Sequence, residues 1–356
     1  MERSKTGSYL LSLGLSILCA LIVGALVLLA AGFRPLEAYG AMMTGAFGNS
    51  RHIGDLLEYA MVLCLCGLAC VLAARVGIFN VGGEGQLILG AIVACQVGIW
   101  MKDSSPWLVL PCAALVAMAT GGLYALIPGV LKVKVKVNEV ITTIMLNTVA
   151  VCLCQYLVKG PWKSSNKNMV AATEKLDPSH RLGTLIPGSK LSTAIFVAIG
   201  LTLLIWFVMS KTVTGYEMSL TGQNPRFAFF SGIKTAPLIL WCMVLSGALC
   251  GLVGMLRVYG AEHIYKSSIS NDYYFEGLMI AMIAAYEPLP VIGLSVFFAV
   301  LKVGAEELQY IGIPSQIYQI IQTVVIFSMA AQGSFLQWLK AKRKPIPVAE
   351  GGSKHE

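Results

Sequence analysis

Charged residues are scarce in this chain. Asp, Glu, Lys and Arg together make up 12% of its 356 residues, whereas 56% are hydrophobic. In soluble domains roughly a quarter of all residues are charged, so the low charged fraction excludes a soluble globular protein. A membrane-spanning helix needs about 20 apolar residues, and the hydrophobic content is close to the amount that about ten such helices require. The composition therefore predicts an all-α protein with many membrane spans.

Signatures of catalysis are also missing. The sequence has no GxxxxGK[ST] phosphate loop, no GxSxG elbow and no HExxH pair, so we expect no ATPase activity, catalytic residue, metal or cofactor in this chain. The ten cysteines all lie in apolar runs and are predicted to be small buried hydrophobic residues. A metal site at the pairs Cys64/Cys66 or Cys152/Cys154 is the less favoured alternative, since neither pair has histidines at zinc-ligand spacing.

The positive net charge, +8 at pH 7, does not indicate nucleic-acid binding. Basic residues stand in short segments between apolar runs, whereas nucleic-acid binding needs a basic surface. Such segments instead orient membrane proteins. A cytoplasmic N-terminus places 14 of the 26 basic residues in the cytoplasm and eleven outside, with Lys302 near a helix end. The strongest cytoplasmic markers are the run 132–136 and the cluster 340–344, so both termini are predicted to be cytoplasmic.

Ten apolar runs are candidates for membrane spans. They are Tyr9–Ala31, Leu56–Ala74, Gly85–Trp100, Trp107–Val130, Glu139–Val158, Leu191–Ser210, Ala236–Leu256, Gly277–Tyr286, Pro290–Val303 and Pro314–Ala331. The first run ends in small residues, as a signal peptide does, but its length favours a retained helix. Several later runs are short or begin beside glycine and proline, which is typical of broken or re-entrant helices in transporters.

Two sequence echoes relate the halves of the chain. The segment 61–63 with Arg75 recurs 182 residues later as 243–245 with Arg257, and Glu84-Gly85 recurs 192 residues later as Glu276-Gly277. Five predicted spans separate the copies, and an odd number reverses their direction across the membrane. Chance similarity between apolar, glycine-rich stretches is the alternative.

The predicted organisation follows from these echoes and spans. Two inverted five-helix repeats are joined by an extracellular loop, and both ends of the chain are cytoplasmic. The segments are a cytoplasmic N-terminus 1–8, a first half 9–158, the loop 159–190, a second half 191–333 with a cytoplasmic segment 211–235, and a basic tail 334–356.

The segment 211–235 contains the pattern of a short helix. Asn224 is a good amino-terminal cap, Pro225 suits the first helical position, and Gly232 suits the residue past the end. About two turns are too short to cross a bilayer, yet three phenylalanines make the segment too apolar for a free loop. We expect another surface to cover them. A helix resting on lipid headgroups is the alternative interpretation.

The Gly-x-Asn-Pro, Ala and Ser-Gly-Ile pattern at 222–233 resembles the coupling segment of ABC importer permeases of the branched-chain amino acid, ribose and nucleoside superfamily. Stretches at 80–86, 138–147, 276–277 and 287–289 are similar to those of its binding-protein-dependent nucleoside permeases. The resemblance covers roughly residues 55 to 332. The segment departs from the pattern at Phe227 and Phe229, where smaller residues are expected, which bears on how it fits a groove.

This resemblance implies a permease subunit in a bacterial plasma membrane that imports nucleosides. Its implied partners are a cytoplasmic ABC ATPase, a second related permease, an extracellular substrate-binding lipoprotein and membrane lipid, with no nucleic acid. The residues implied to couple with the ATPase are Gly222, Gln223, Asn224, Pro225, Arg226, Phe227, Ala228, Ser231 and Gly232.

The predicted substrate pathway comprises polar residues at apolar helices and the aromatic residues beside them. They are Phe79, Asn80, Glu84, Gln86, Asn147, Phe275, Glu276 and Tyr286. A carboxylate inside the membrane indicates function, but both glutamates could instead lie at water-exposed helix starts and complement the helix dipole. For Asn147, bridging of two helices is favoured over solute binding, and Asn138 and Glu139 are favoured as a cap and a first-turn acid.

Two further alternatives stay open at this point. Inverted repeats also occur in secondary carriers, so a proton- or sodium-coupled transporter of a small polar solute, using Glu84 or Glu276, is the competing function. The loop 159–190 carries six basic and two acidic residues. A solvated surface loop is favoured there over a docking surface for the binding protein.

Overall fold

The computed structural model describes residues 14, 18–19, 21–166, 171–314, 319–324 and 327. The chain divides into two units. One comprises residues 1–38 and 313–356, and the other comprises residues 39–312. In the first unit, the helix α1 (Leu21–Ala30) ends before a turn in which Gly32 has φ +84°. Arg34 and Glu37 then form an exposed ion pair at 2.8 Å.

Eleven further helices follow α1 in the described residues. They are α2 (Pro35–Phe47), α3 (Ser50–Ala74), α4 (Gly83–Trp100), α5 (Pro106–Val130), α6 (Glu139–Lys159), α7 (Ala194–Lys211), α8 (Val213–Gln223), α9 (Pro225–Phe230), α10 (Thr235–Arg257), α11 (Tyr273–Ile283) and α12 (Pro288–Leu308). A π-helical turn extends α5 over Leu131–Val135, and another extends α10 over Val258–Glu262.

Seven described helices are long and apolar enough to cross a membrane: α3 to α7, α10 and α12. Each coincides with a span predicted from the sequence. The count rises to eight if α1 and α2 form one broken span. The predicted first span lies partly, and the predicted tenth mostly, outside the described residues. The arrangement of ten helices in two repeats therefore stays a prediction.

The predicted span Gly277–Tyr286 is a helix, but a short one. The 11 residues of α11 measure about 16 Å at 1.5 Å per residue, roughly half of a bilayer core. Its end is marked by Ala285 and Tyr286, both with positive φ. The element is therefore a half-helix, as the short and glycine-flanked runs of the sequence led us to expect of broken spans.

The core of the second unit is formed by α3 and α4. The most apolar 18-residue windows of α3 and α4 are 94% and 83% buried, against 28%, 22% and 28% for α5, α6 and α7. Small residues allow the core helices to approach closely. A Cβ added at Gly90 of α4 would overlap the backbone of Gly251 in α10, and one at Gly121 of α5 would overlap the backbone of Gly247. The outer faces of α5 to α7 are apolar and exposed, as lipid-facing surfaces are.

Contacts between α3 and α10 show that the two helices run in opposite directions. Glu58, near the start of α3, pairs with Arg257 at the end of α10. Further along α3, the carbonyl of Ala69 accepts a hydrogen bond from Ser246, which stands earlier in α10. Contacts further along α3 are therefore made by residues earlier in α10. These are the helices that carry the first sequence echo, and their opposite directions agree with an inverted relation.

The described part of the predicted loop 159–190 lies on the surface, where more than half of its residues are exposed, but several of its groups are paired with neighbouring segments. Thr173 and Leu176 donate backbone hydrogen bonds to the carbonyls of Tyr265 and His263. His180 is fully buried, with its Nε2 3.0 Å from the carbonyl oxygen of Ser104. The backbone of Lys190 donates to Asp55 at 2.7 Å. These contacts anchor the described part of the loop to the segment 263–265 and to the start of α3.

Candidate functional site

The coupling segment folds as the sequence predicted. The helix α9 begins after Asn224, whose side chain accepts the N–H of Phe227 at 3.0 Å, and Pro225 occupies its first position. The chain leaves it through Ser231 and through Gly232, whose φ is +88°. A cap oxygen stabilises the otherwise unpaired first N–H groups, and a glycine tolerates the left-handed exit. The helix between these two residues is therefore well defined by local chemistry.

Three phenylalanine side chains of α9 lie on the surface. Phe227, Phe229 and Phe230 are 57%, 63% and 85% exposed, whereas Ala228 is fully buried. Arg226 and Gln223 are exposed beside them, and Gln223 donates to Ser219 at 3.3 Å. Contiguous exposed apolar surface of this kind is typical of a site that contacts another protein or a membrane.

The segment is attached to the end of α3 at Gly222. A Cβ at this residue would overlap the carbonyl oxygen of Arg75, and Gly77, with φ +79°, packs against the Gly222 backbone. Arg75 also forms an ion pair with Glu287, just before α12, at 2.7 Å. Only glycine fits between these two backbones, so the end of α8 packs directly against the end of α3.

The loop after α3 carries the first predicted pathway residues. Buried Asn80 donates to Gln86 and to Ser246, both at 2.9 Å, and Gln86 donates back to Asn80 at 3.1 Å. Asn147 of α6 accepts the N–H of Gly85 and donates to the carbonyl of Val81, both at 2.9 Å. These amides satisfy the backbone and side-chain groups at the irregular start of α4. The prediction that Asn147 bridges two helices is confirmed.

Glu84 and Glu276 are both 6% exposed, so the alternative of water-exposed helix starts is wrong. Each does lie in the first turn of its helix, Glu84 in α4 and Glu276 in α11. Glu84 accepts the backbone N–H of Tyr274 at 3.2 Å, and Glu276 pairs with Lys302. The two glutamates therefore connect the start of α11 with α4 and α12.

Lys302 is placed differently from the expectation. It was predicted near a helix end, but it lies within α12 and is 8% exposed. Its ammonium stands 4.7 Å from the ring centroid of Tyr59 and 5.4 Å from that of Tyr273. A buried ammonium needs such compensation, from a carboxylate and from ring faces.

The predicted aromatic residues come together only in part. The rings of Phe79 and Tyr286 meet edge to face with centroids 5.9 Å apart. Phe275 is half-buried, and no ring pair among the described residues links it to these two. Phe79 is 41% exposed, so one of the predicted pathway aromatics lies partly on the surface.

A buried charge cluster at the other end of α3 was not predicted as a site. Arg257 pairs with Glu58, and both side chains are almost wholly buried, at 4% and 3% exposure. Arg257 also reaches Glu262 at 3.3 Å, which in turn pairs with Lys190 and Lys266. The available signal was a glutamate near the start of an apolar run, which indicates function or pairing in a membrane protein.

The cap and cysteine predictions have clear outcomes. Asn138 caps α6 by accepting the N–H of Val140 at 2.9 Å, and Glu139 in the first turn pairs with Lys132. Seven cysteines are buried, Cys112 is intermediate, and Cys19 and Cys152 are exposed. The prediction of buried cysteines is thus confirmed for most of them and wrong for the last two.

A bundle of long apolar helices, broken at α11 and carrying a short capped helix with an exposed apolar face, defines a multi-pass membrane transport protein. The chain belongs to the family described as branched-chain amino acid transport system / permease component, whose model matches residues 52–330. Its members are membrane permease subunits.

Curated relatives align over most of this chain. It is 27% identical to the nucleoside ABC transporter permease protein NupB of Lactococcus lactis, covering 99% of this chain and 98% of the relative. It is 30% identical to the guanosine ABC transporter permease protein NupP of Bacillus subtilis, covering 92% and 94%. It is also 30% identical to the glucose ABC transporter permease protein TsgB13 of Haloferax volcanii, covering 91% and 88%.

Proposed function

We propose that this chain is the permease subunit of an ATP-driven importer of nucleosides. It would form half of the translocation path beside a second, related permease. A cytoplasmic ABC ATPase and an extracellular substrate-binding lipoprotein complete the assembly, in a bacterial plasma membrane. The observation that carries the proposal is α9, a capped helix with three exposed phenylalanines that is joined to the end of α3 through Gly222.

The coupling step follows from that geometry. The exposed face of Phe227, Phe229 and Phe230 docks in a groove of the ATPase, so that closure of the ATPase moves α9 as a rigid body. Close contact of Gly222 with Arg75 passes the movement to the end of α3 and to the loop that carries Asn80. The chemistry of ATP hydrolysis stays with the partner, and this chain contributes the moving path.

The substrate assignment rests on relatives and on the chemistry of the path. Two of the relatives are permeases for nucleosides or guanosine, and aromatic side chains with neutral amides suit a nucleobase. The proposed pathway keeps Phe79, Asn80, Glu84, Gln86 and Asn147 on the first half of the chain. Phe275, Glu276 and Tyr286 are on the second half. Both chain termini and the segment 211–235 are cytoplasmic in this proposal.

The test is reconstitution of the chain with its partners in proteoliposomes. We expect guanosine uptake that requires ATP and the binding protein. Asn224→Asp combined with Gly232→Val should abolish uptake while ATP hydrolysis and membrane insertion persist. Gly232→Val removes the left-handed exit of α9, and Asn224→Asp keeps the cap but adds a negative charge to the exposed contact surface. Normal uptake by this double variant would disprove the coupling assignment.

Buried Glu84 and Glu276 favour one competing function, a proton- or sodium-coupled carrier. Uptake by such a carrier collapses with an ionophore and continues with no ATPase present. The importer proposed here behaves in the opposite way in both assays. Copurification with an ATPase and an unlike membrane subunit separates the two before any transport measurement.

A further inference from the structure

A cavity of about 260 Å³ opens beside the buried charge cluster, at the end of α3 opposite the coupling segment. Its lining includes Tyr59, Arg257, Ser268, Asn271, Tyr273 and Glu306. In the proposed orientation this end faces the outside of the cell. The volume lies just below the range of about 300–1,000 Å³ for small-molecule sites, so the cavity suits a small ligand or one part of a larger one.

One buried donor in this lining lacks a partner. Arg257 is 4% exposed, and its two terminal nitrogens pair with Glu58 and Glu262. Its Nε–H has no acceptor among the described residues. An unsatisfied buried N–H is costly. The nitrogen has almost no accessible surface, so a ligand oxygen reaches it only after a small shift of the lining.

The charges around the cavity balance one another. Glu262 pairs with Lys190 at 3.4 Å and with Lys266 at 3.2 Å, and Glu58 neutralises Arg257. The lining thus holds two carboxylates, Glu262 and Glu306, and three cations, of which Arg257 is neutralised by Glu58 from outside the lining. The cavity therefore suits a neutral polar molecule rather than a phosphate or another anion.

The rim supplies both donors and acceptors over a short distance. Asn271 donates to the Tyr59 hydroxyl at 3.2 Å, and Ser268 and Glu306 add a hydroxyl and a carboxylate. All three rim residues are exposed, whereas Tyr59 and Tyr273 are buried and meet edge to face at 5.0 Å. Dense alternating donors and acceptors match the neighbouring hydroxyls of a sugar ring.

We propose that this cavity is an entry site that binds the sugar ring of the transported substrate. A polyhydroxylated ring is the feature shared by nucleosides and glucose, the solutes named for the relatives. In this arrangement Glu306, Asn271 and Ser268 bind the ring hydroxyls, and a small shift of the lining brings the Nε–H of Arg257 to a ring oxygen. The inference rests on the proposed import function and adds a recognition site that does not depend on the base.

The test compares two substrates in the reconstituted complex, guanosine and 2′,3′-dideoxyguanosine. Glu306→Gln should raise KM for guanosine roughly 3- to 10-fold, the value of one hydrogen bond, with an unchanged maximal rate. For the dideoxy substrate KM should not change, since the hydroxyls that Glu306 binds are absent. Glu307→Gln is the matched control, because Glu307 is the next residue and does not line this cavity.

A labelling measurement makes the test independent of turnover. Ser268→Cys should react with a membrane-impermeant thiol reagent from the outside, and guanosine or free ribose should slow the reaction while guanine should not. Protection by guanine alone, absence of any protection, or an equal change in KM for both substrates would overturn the proposal. If the wild-type complex imports no nucleoside or sugar, the proposed function itself fails. If it imports them and these variants respond like Glu307→Gln, only the sugar site fails.

Discussion

The two ends of α3 differ in the burial of their contacts. At the Glu58 end, a buried ion pair, two tyrosines and a hydrogen-bonded loop hold the helices together. At the Arg75 end, the side chains of the Arg75–Glu287 ion pair are 22% and 52% exposed. The three phenylalanines of α9 are exposed near this end. A buried network fixes one arrangement, whereas exposed contacts exchange readily with another surface. If the proposed coupling role of α9 is correct, the Arg75 end is the one that can rearrange at low cost.

The largest expected effect on stability comes from breaking the buried ion pair at the Glu58 end of α3. Glu58→Ala leaves the Arg257 guanidinium buried with only Glu262, and removal of one partner from a buried pair costs about 3–5 kcal/mol. We expect a clear loss of thermal stability of the purified permease in detergent. Fluorescence-detected size-exclusion chromatography after heating measures this loss. A variant as stable as wild type would show that the two ends do not differ in this way.

A smaller effect is expected from filling the contact at the coupling end. Gly222→Val forces the segment away from the Arg75 carbonyl, since even a Cβ overlaps it, and such overpacking costs about 1–3 kcal/mol. Uptake should fall much further than stability because the connection to α3 is lost. Gly200→Val is the control, since a Cβ at Gly200 meets no atom within 4 Å. Equal effects of the two variants on uptake would contradict the prediction.

Loss of the α9 cap should separate coupling from stability. Asn224→Ala removes the hydrogen bond to Phe227 N–H at a cost of about 1 kcal/mol. Asn138→Ala removes an equivalent cap from α6 and serves as the control. Similar melting temperatures are expected for both, but ATP hydrolysis should be uncoupled from uptake only in Asn224→Ala. The interpretation would be wrong if both variants transported equally well.

The smallest effect on stability is expected at the exposed pair. Arg75→Gln breaks the contact with Glu287, and exposed ion pairs contribute about 0–1 kcal/mol. The melting temperature should stay within a degree or two of wild type, by the usual scaling for a domain of this size. A loss comparable to that of Glu58→Ala would remove the contrast between the two ends.

Local chemistry made part of this structure predictable. The Asn-Pro start and glycine end of α9 and the Asn138 cap of α6 are encoded by a few adjacent residues. Seven long spans follow from apolar runs. The same method missed α2 and α8, because helices of 13 and 11 residues are too short to stand out as membrane spans.

Ion pairs between residues far apart in the sequence could not be predicted from local patterns. Glu58 and Arg257 are 199 residues apart, and Lys302 reaches Glu276 from another helix. Hydropathy alone placed Lys302 at a helix end, since an unpaired ammonium is costly in lipid. The pairing that makes its burial tolerable exists only in the folded chain. Sequence patterns therefore predicted the capped helix α9 better than they predicted the buried charge clusters.

The meeting of α11 with α4 limits how this protein can be divided. The ring of Tyr274 lies directly against Gly83, and the Tyr274 backbone donates to Glu84. Together with the antiparallel contacts of α3 and α10, this interlocks segments from both halves of the sequence. We expect fragments 1–158 and 191–356 to be degraded when produced alone and to accumulate only when coexpressed, so that assembly must wait until synthesis of the second half.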